Sequence, residues 1–292
     1  MGLRKEAICL LMQEGLRDPF RGKIVTLGKQ DVWVTYAEVQ TLAQKVGYSL
    51  HAVPEIVLSH KPEMWAEGYV SDRTLFSLLG FHEVISLDAS LYESADVLFD
   101  LNDNEVPAQL KESADLVLDP GTIEHVFHVA NSLKNIFHLL KVGGRVIHIS
   151  PSSNHLDHGF YMFSPTLFAD YYTANRFDVR ALKMIQYRPQ PIFPWKIATY
   201  SPQDFQEFSF GGLDQNMYAV YCIATKKTVS SCNQIPQQHQ FAQNLWIQKK
   251  PTFVRSKLKQ WIQRVPFLYK TATFFLRMQK RSRLQRKFEP FV

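Results

Sequence analysis

Short apolar runs alternate with longer amphipathic segments through residues 20–228. Uninterrupted apolar runs are typical of strands buried on both faces of a parallel sheet, and apolar residues three or four positions apart are typical of the helices that cover it. The pattern therefore predicts an α/β fold of the Rossmann-like, doubly wound kind, with a mostly parallel seven-stranded sheet and an antiparallel last strand. We predict strands at residues 23–28, 83–87, 97–99, 115–118, 145–149, 179–185 and 217–224.

Several segments carry helical spacing and recognisable helix ends. The segment 35–48 begins with Thr35 and has Glu38 three positions later, which is the pattern of a capping box. The segment 72–79 is followed by Gly80, a common residue just past a helix end. Two further helices are predicted at 123–140 and 164–175.

The chain divides into a folded body and a C-terminal extension. Residues 20–228 form the predicted domain, with an irregular insertion at 49–80 between its first two strands. Residues 1–19 are expected to form a helical lead-in. The polar, glutamine-rich stretch 229–248 is predicted to be a linker, and 249–292 a basic amphipathic helical tail.

Positive charge is concentrated in that tail. Residues 249–292 carry 13 Lys and Arg against one acidic residue, whereas the rest of the chain carries 20 basic and 26 acidic residues. The net charge of +6 and the pI of 9.1 therefore come from the tail. Apolar residues share one face on either side of Pro266, which predicts two amphipathic helices. These helices would pack on their own domain, contact a protein partner, or lie on an anionic membrane surface.

The composition also indicates the cellular compartment of the protein. No apolar run reaches the roughly 20 residues that cross a bilayer, and the run at 7–12 is too short for a signal peptide. Cys9, Cys222 and Cys232 form no CxxC pair, which favours a reducing compartment without structural disulfides. We expect a cytoplasmic protein, with peripheral attachment to the inner membrane surface through the tail as an alternative.

Three of the predicted strands end at an aspartate: Asp88, Asp100 and Asp119. In an open α/β sheet, ligands bind at the carboxyl ends of the parallel strands, where the strand order reverses. The three carboxylates are therefore expected to converge on one ligand cleft. The alternative is that each aspartate caps the helix or turn that follows it.

Two segments around the fourth and fifth predicted strands carry a recognisable motif. Residues 115–125 read DLVLDPGTIEH, and residues 139–148 read LLKVGGRVIH. Together they resemble the central stretch of class I S-adenosylmethionine-dependent methyltransferases. The motifs LGKQ at 27–30, LDASLYE at 87–93 and HGFYMFSP at 158–165 are similar to those of a divergent methyltransferase-like subgroup.

The resemblance implies S-adenosylmethionine as cofactor and S-adenosylhomocysteine as product. It places Asp88 at the ribose and Asp100, with Leu101, beside the adenine. The first loop departs from the family pattern of acid-x-Gly-x-Gly-x-Gly, because TLGKQDV at 26–32 keeps one glycine and lacks the acid. The cofactor-binding residues implied by the resemblance are Gly28, Gln30, Asp88, Ser90, Asp100, Leu101, Asp119 and Gly121.

Six of the ten histidines lie between residues 125 and 158, around the expected cleft. His125 and His158 are the candidate catalytic bases, because transfer to a hydroxyl requires removal of its proton and histidine titrates near neutral pH. A purely structural His125, bonded to backbone after the strand, is the alternative. Glu124, Tyr161 and Ser164 are expected on the substrate side of the cleft.

No metal site is predicted from the sequence. A metal would have to use His125 with His128, and His155 with His158, but neither an HExxH motif nor a Cys/His pattern is present.

The leading prediction is a methyltransferase that acts on a hydroxyl or amine of a small metabolite, sugar or glycan. The sugar and glycan classes follow only from the resemblance to the divergent subgroup. A nucleic-acid partner is not expected, because DPGT at 119–122 differs from the Asp/Asn-Pro-Pro-aromatic motif that grips a flipped base, and the body is acidic. The alternative is a non-catalytic binding or scaffold protein that keeps the fold, which the altered first loop favours.

Overall fold

The computed structural model describes a mixed α/β domain built on one large sheet. Residues 240–265, which hold the second half of the predicted linker and the first predicted tail helix, lie outside the described residues. The described residues are 2–90, 92–190, 193–205, 208, 211, 213–239 and 266–291.

The strands fall into a small pair and a large sheet. The strands are β1 Gly2–Leu3, β2 Lys23–Leu27, β3 Asp31–Val32, β4 Glu83–Asp88, β5 Val97–Leu98, β6 Ala114–Asp119, β7 Leu140–Ser153, β8 Asp178–Tyr187, β9 Lys196–Thr199, β10 Met217–Thr225 and β11 Glu289–Pro290. Strands β1 and β3 pair with each other, and the others form a nine-stranded sheet in the order β11-β9-β8-β10-β7-β6-β2-β4-β5.

One half of the large sheet is parallel and doubly wound. Strand β2 lies between β4 and β6 and is parallel to both, while β5 and β7 extend the two sides. Along the chain, β4 and β5 are added in turn on one side of β2. The chain then crosses to the other side of β2, where it adds β6 and then β7. This reversal of strand order between β2 and β6 defines where a ligand cleft belongs, at the carboxyl ends of these strands.

The other half of the sheet is antiparallel and larger than expected. The predicted pairing of the strands at 179–185 and 217–224 is confirmed, since Val220 aligns with Met184 in an antiparallel ladder. The prediction of a seven-stranded sheet is wrong, because β9 and β11 add two strands beyond β8. These two strands have four and two residues, too few for an apolar pattern to show. Strand β10 thus lies inside the sheet, between β7 and β8.

The predicted helix starts are observed in most cases. The capping box is confirmed, with the Thr35 N–H donating to the Glu38 carboxylate at 2.8 Å. The helix expected at 123–140 is shorter, because a 3₁₀ turn at Ile123–His125 comes first and the helix starts at Val129. The helices are α1 Lys5–Arg17, α2 Tyr36–Val46, α3 Pro62–Ala66, α4 Asp72–Leu78, α5 Val129–Leu139, α6 Pro165–Ala174, α7 Pro202–Phe205 and α8 Pro266–Gln285.

Helices bury both faces of the sheet. On one face, the buried residues of α1 and α2, such as Ile8 and Leu42, pack against residues of β2 and β6. On the other face, Ile136 of α5 and Phe168 of α6 pack against residues of β7 and β10. The apolar spacing that predicted α2, α5 and α6 is therefore the pattern of the residues that they bury.

The end of the tail packs on the body. Helix α8 covers Pro266–Gln285, and its Leu284 is only 3% exposed. Phe288 and Phe291 are also buried, and β11 between them pairs with β9. The last residues of the tail therefore belong to the folded domain. Among the described residues, no helix combines the length and apolar character required to span a membrane.

Candidate functional site

The loop after β2 makes a tight turn against two neighbours at the carboxyl edge. Gly28 has a φ of +75°, and its N–H donates to the Leu87 carbonyl at 2.7 Å. The Thr122 hydroxyl donates to the Leu27 carbonyl at 2.6 Å. A Cβ on Gly28 would lie 3.1 Å from that hydroxyl oxygen, so both the backbone angle and the close approach favour glycine.

The polar groups of this loop are satisfied largely within the loop itself. The Gln30 side chain is only 5% exposed, and its amide donates to the Leu27 and Gly28 carbonyls, both at 3.0 Å. Lys29, which follows Gly28, forms an ion pair of 2.8 Å with Asp72 at the start of α4. The insertion at 49–80 therefore anchors the loop after β2 through Asp72.

The strand-end acids Asp88 and Asp100 lie on adjacent strand ends. The N–H of Phe99 donates to the Asp88 carbonyl at 2.8 Å, which aligns the ends of β4 and β5. Asp88 Oδ1 accepts from the Ser90 N–H at 3.0 Å, and Asp100 Oδ1 accepts from the Asn102 N–H at 2.8 Å. Both carboxylates remain accessible, whereas Leu101 is buried in the core at 5% exposure.

Asp119 lies deeper than the other two acids and has no exposed surface. Its Oδ1 accepts from the Thr122 N–H at 3.0 Å, which fixes the turn that contains Gly121. Its Oδ2 lies 2.6 Å from His148 Nδ1, and His148 Nε2 lies 2.7 Å from the Tyr172 hydroxyl. Asp119 therefore orders the turn after β6 from within the core.

The buried network of Asp119, His148 and Tyr172 was not predicted from the sequence. His148 is completely buried within it. Its two partners are 29 and 24 residues away in the chain, so no local spacing could have linked them.

Glu124 and two histidines meet just beyond this turn. His158 Nε2 lies 3.8 Å from Glu124 Oε1, and His125 Nε2 lies 4.0 Å from the same oxygen. Glu124 has no exposed surface, whereas the side chains of His125 and His158 are 47% and 38% exposed. The structure therefore joins three of the predicted site residues into one cluster, which we call the Glu–His–His cluster.

Electrostatics in the Glu–His–His cluster favour uncharged forms. Burial raises the pKa of Glu124 to about 8, and the nearby charge of Asp119 adds to the effect. Partial burial lowers the pKa of His125, and the proximity of His158 lowers it further. His125 is therefore a neutral imidazole near neutral pH, which is the form that accepts a proton or binds a metal ion.

A close loop contact brings His158 to the cluster. The Tyr161 N–H donates to the Glu124 carbonyl at 3.2 Å, and the Tyr161 hydroxyl donates to the Phe127 carbonyl at 2.8 Å. A Cβ on Gly159 would lie 2.9 Å from the Glu124 carbonyl oxygen, so only glycine allows this approach. The resulting open cleft, of about 230 Å³, is lined by His125, Asp157, His158, Gly159 and Phe160.

Other predicted residues lie outside the Glu–His–His cluster. Ser164 is exposed and caps α6 by accepting from the Thr166 N–H at 3.3 Å. His155 is buried and lies 3.0 Å from the Tyr187 hydroxyl, and His128 is exposed. The two histidine pairs that a metal would have had to use are thus split, with one member of each in the Glu–His–His cluster.

Comparison with known proteins gives matches in structure only. No protein-family model matches the chain, and no curated protein matches it. The YcgJ protein of Bacillus subtilis is similar over 75% of this chain and 98% of its own, at 11% identity and a TM-score of 0.42. A methyltransferase of Archaeoglobus fulgidus, described as SAM-dependent, covers 76% of this chain and 95% of its own, at 12% identity and a TM-score of 0.37.

A third match is the 1,6-didemethyltoxoflavin-N1-methyltransferase of Burkholderia thailandensis, solved with S-adenosylhomocysteine. It covers 76% of this chain and 78% of its own, at 14% identity and a TM-score of 0.36. The last two structures are named as methyltransferases, the class that the sequence motifs resemble. Similarity at this level does not indicate an activity. The α/β fold class is established by the strand order.

Proposed function

We propose that the chain is an S-adenosylmethionine-dependent methyltransferase that acts on a hydroxyl or amine of a small metabolite, sugar or glycan. The observation that carries the proposal is the carboxyl edge at the strand reversal. There, Gly28 donates to the residue before Asp88, and Thr122 links the same loop to the turn that holds Glu124 and His125. The edge thus has two halves. The first half, at the ends of β2, β4 and β5, is suited to a nucleotide, and the second half, at the turn after β6, carries titratable groups.

The residues of the first half fit the nucleoside part of the cofactor. Two accessible carboxylates, Asp88 and Asp100, end adjacent strands, and carboxylate oxygens are the acceptors that ribose hydroxyls require. Ser90 lies in the same turn as Asp88, and the loop at Gly28, which bonds to the strand that ends at Asp88, would lie beside the ligand's amino-acid end. When bound, S-adenosylmethionine would supply an electrophilic methyl group on its sulfonium.

The residues of the second half suit the methyl acceptor. A neutral hydroxyl is a weak nucleophile, so its proton has to pass to a base as the methyl group arrives. His125 and His158 reach the open cleft with exposed rings, and each can take a proton on Nε2. Phe160 and Tyr161 next to them provide an aromatic wall for the acceptor. Catalysis would otherwise rest on holding the acceptor in line with the donor.

Calorimetric titration tests the proposal. We expect the full chain, in the presence of a chelator, to bind S-adenosylmethionine or S-adenosylhomocysteine at one site per chain. Asp88→Ala should weaken binding by about 10- to 100-fold, because a charge-assisted hydrogen bond of about 1.5 to 3 kcal/mol is lost. Asp178→Ala, at the opposite end of the sheet, is the matched control and should bind like the native chain. Absence of heat at millimolar ligand would reject the enzyme.

A scaffold function is the second candidate, and the Gln30 side chain favours it. The Gln30 side-chain NH2 group donates to the Leu27 and Gly28 carbonyls, so these two carbonyls need no ligand. A protein that had kept the fold and given up the cofactor would show this arrangement. Gln30→Ala separates the two functions, because it should loosen cofactor binding in an enzyme and change only stability in a scaffold.

We also propose that the tail gives the cytoplasmic protein a peripheral contact with an anionic membrane or a protein partner. Four large apolar residues of α8 are more than half exposed and lie among basic residues, which is the composition of an interfacial helix. Phe274→Ser with Phe275→Ser should reduce sedimentation with anionic vesicles and leave cofactor affinity unchanged. The four apolar residues are Phe274, Phe275, Leu276 and Met278.

A further inference from the structure

The carboxyl group of Glu124 is an unusual feature of the described structure. The residue is fully buried, and in the described part of the chain neither carboxylate oxygen has a hydrogen-bond partner. Nearly all buried polar groups in folded proteins are hydrogen-bonded, and an exception commonly marks a missing water or ion. The Glu124 carboxyl therefore points to a ligand that would complete its surroundings.

Two imidazoles face the same unpartnered carboxyl. One ligand atom each from Glu124, His125 and His158 can be chosen so that all three lie within 4.8 Å of one another. The two nitrogen-to-oxygen separations to Glu124 Oε1 are 3.8 and 4.0 Å. Ligands at about 2.1 Å from a zinc ion in tetrahedral geometry are about 3.4 Å apart. Rotation of the two exposed rings that shortens each separation to Glu124 Oε1 by about half an ångström, and brings the two imidazole nitrogens to a similar spacing, would give that geometry.

We propose that Glu124, His125 and His158 bind a divalent transition-metal ion of the zinc class. Two imidazole nitrogens and one carboxylate oxygen are a ligand set that such ions prefer over magnesium or calcium. Three protein ligands would also leave a coordination position open for an acceptor. The two histidines line the cleft beside Phe160, from which an acceptor would enter. A bound cation would give the buried carboxyl the partner that it lacks.

Neighbouring residues prepare the cluster for such an ion. The 3₁₀ turn that presents Glu124 and His125 is fixed from below by the buried Asp119. The loop that presents His158 is held by the Tyr161 bonds and by the close approach of Gly159. Both supports hold the backbone of the segments that carry the ligands, so the ligand side chains start from defined positions.

The metal site does not depend on the proposed methyl transfer, but it changes how that transfer would work. With both imidazoles bound to an ion, neither would act as the base. A hydroxyl of the acceptor at the open position would instead have its pKa lowered by the ion and would release its proton to water. The acceptor would then be a hydroxyl compound, such as a sugar, rather than an amine.

Metal titration of the untagged full chain, after treatment with a chelator, tests the proposal. We expect one zinc ion per chain by calorimetry, and visible absorption bands of low-symmetry coordination when cobalt(II) is used as the probe. Glu124→Gln and His158→Asn should each weaken zinc binding by at least about 10-fold, since one of three ligands is lost. His128→Asn, which removes an exposed histidine outside the cluster, is the matched control and should bind zinc like the native chain.

Two results would overturn the proposal. One is zinc binding that is absent at millimolar concentration in a chain with a native circular dichroism spectrum. The other is zinc binding that Glu124→Gln leaves unchanged or that His128→Asn weakens equally, since either places the ion elsewhere. Asp88→Ala keeps this test apart from the test of methyl transfer, because it should weaken S-adenosylhomocysteine and leave zinc affinity unchanged.

Discussion

The two halves of the carboxyl edge differ in how their charged groups are paired. After β2, the Gln30 side-chain NH2 group donates to loop carbonyls and Lys29 pairs with the buried Asp72. After β6, neither carboxylate oxygen of the buried Glu124 has a hydrogen-bond partner among the described residues, and the two histidines beside it line an open cleft. The charged groups of the first half pair with each other, whereas the second half keeps an unmet binding capacity. We infer that the chemistry of the site lies on the second side, and that the first side serves to position a ligand.

Loss of Asp119, which supports both halves of the carboxyl edge from the core, should change the free energy of unfolding most. Asp119→Ala removes the acceptor for the Thr122 N–H and leaves the buried His148 Nδ1 unpartnered. Each orphaned buried group costs about 1–3 kcal/mol, so we expect the free energy of unfolding to fall by about 3–5 kcal/mol in urea denaturation. Asp178→Ala, an exposed aspartate, is the control. A fall below about 1 kcal/mol would show that the network is not a support.

Breaking the ion pair of the first half should come next. Asp72→Asn leaves the Lys29 ammonium, 10% exposed, without its charged partner. Disruption of a buried pair from one side commonly costs about 3 kcal/mol or more. Thermal and urea unfolding should therefore both show a destabilised protein. An unchanged midpoint would mean that the insertion does not anchor the loop after β2.

Replacement of the buried acid in the second half should raise the free energy of unfolding instead of lowering it. Glu124→Met replaces an unpartnered buried carboxyl by an apolar side chain of similar length. Removal of the desolvation cost should raise the free energy of unfolding by about 1–3 kcal/mol when a chelator is present. The variant should also lose the stabilisation that zinc gives the native chain. Destabilisation of this variant in metal-free buffer would contradict the described lack of partners.

A smaller effect is expected for Asp96, which ties β4 to the connection before β5. Burial opposes ionisation of its carboxyl, but hydrogen bonds from Ser86 and the charge of Arg73 outweigh it and hold the pKa of Asp96 below 3.8. A lowered carboxyl pKa stabilises the fold above the unfolded pKa, and this stabilisation is lost as the pH falls through the folded pKa.

Asp96→Asn should therefore lower the free energy of unfolding by about 1.5 kcal/mol at neutral pH. The difference from the native chain should shrink as the pH falls below 3.8, because the native carboxyl is then protonated. Urea denaturation at several pH values gives this comparison. A difference that stays constant down to strongly acidic pH would rule out a charged Asp96 as its source.

Much of the parallel half could be predicted from the sequence, because its strands are short continuous apolar runs and its helices carry clear caps. The capping box at Thr35 and the strand end at Asp88 lie where the patterns placed them. Strands β9 and β11 could not be predicted, since they have too few residues for a period and depend on partners far along the chain. Local patterns thus identify elements with a buried face of their own.

The candidate site was predictable in its members but not in their grouping. His125 and His158 were proposed as bases, and Glu124 as a substrate contact, from their place after predicted strands. Their meeting depends on Gly159, whose missing Cβ lets one loop lie against another 35 residues away in sequence. Such a long-range contact leaves no periodic signal, which is why the sequence did not suggest a metal ligand set.

A crystal structure of the chain with S-adenosylhomocysteine would show whether this edge of the sheet is the methyl-donor site. We expect the ribose hydroxyls within hydrogen-bond distance of the Asp88 carboxylate and the amino-acid end beside Gly28. The sulfur atom should then point toward the cleft of His125 and His158. S-adenosylhomocysteine bound anywhere else on the chain, or no density for it at millimolar concentration, would contradict the assignment of this edge as the methyl-donor site.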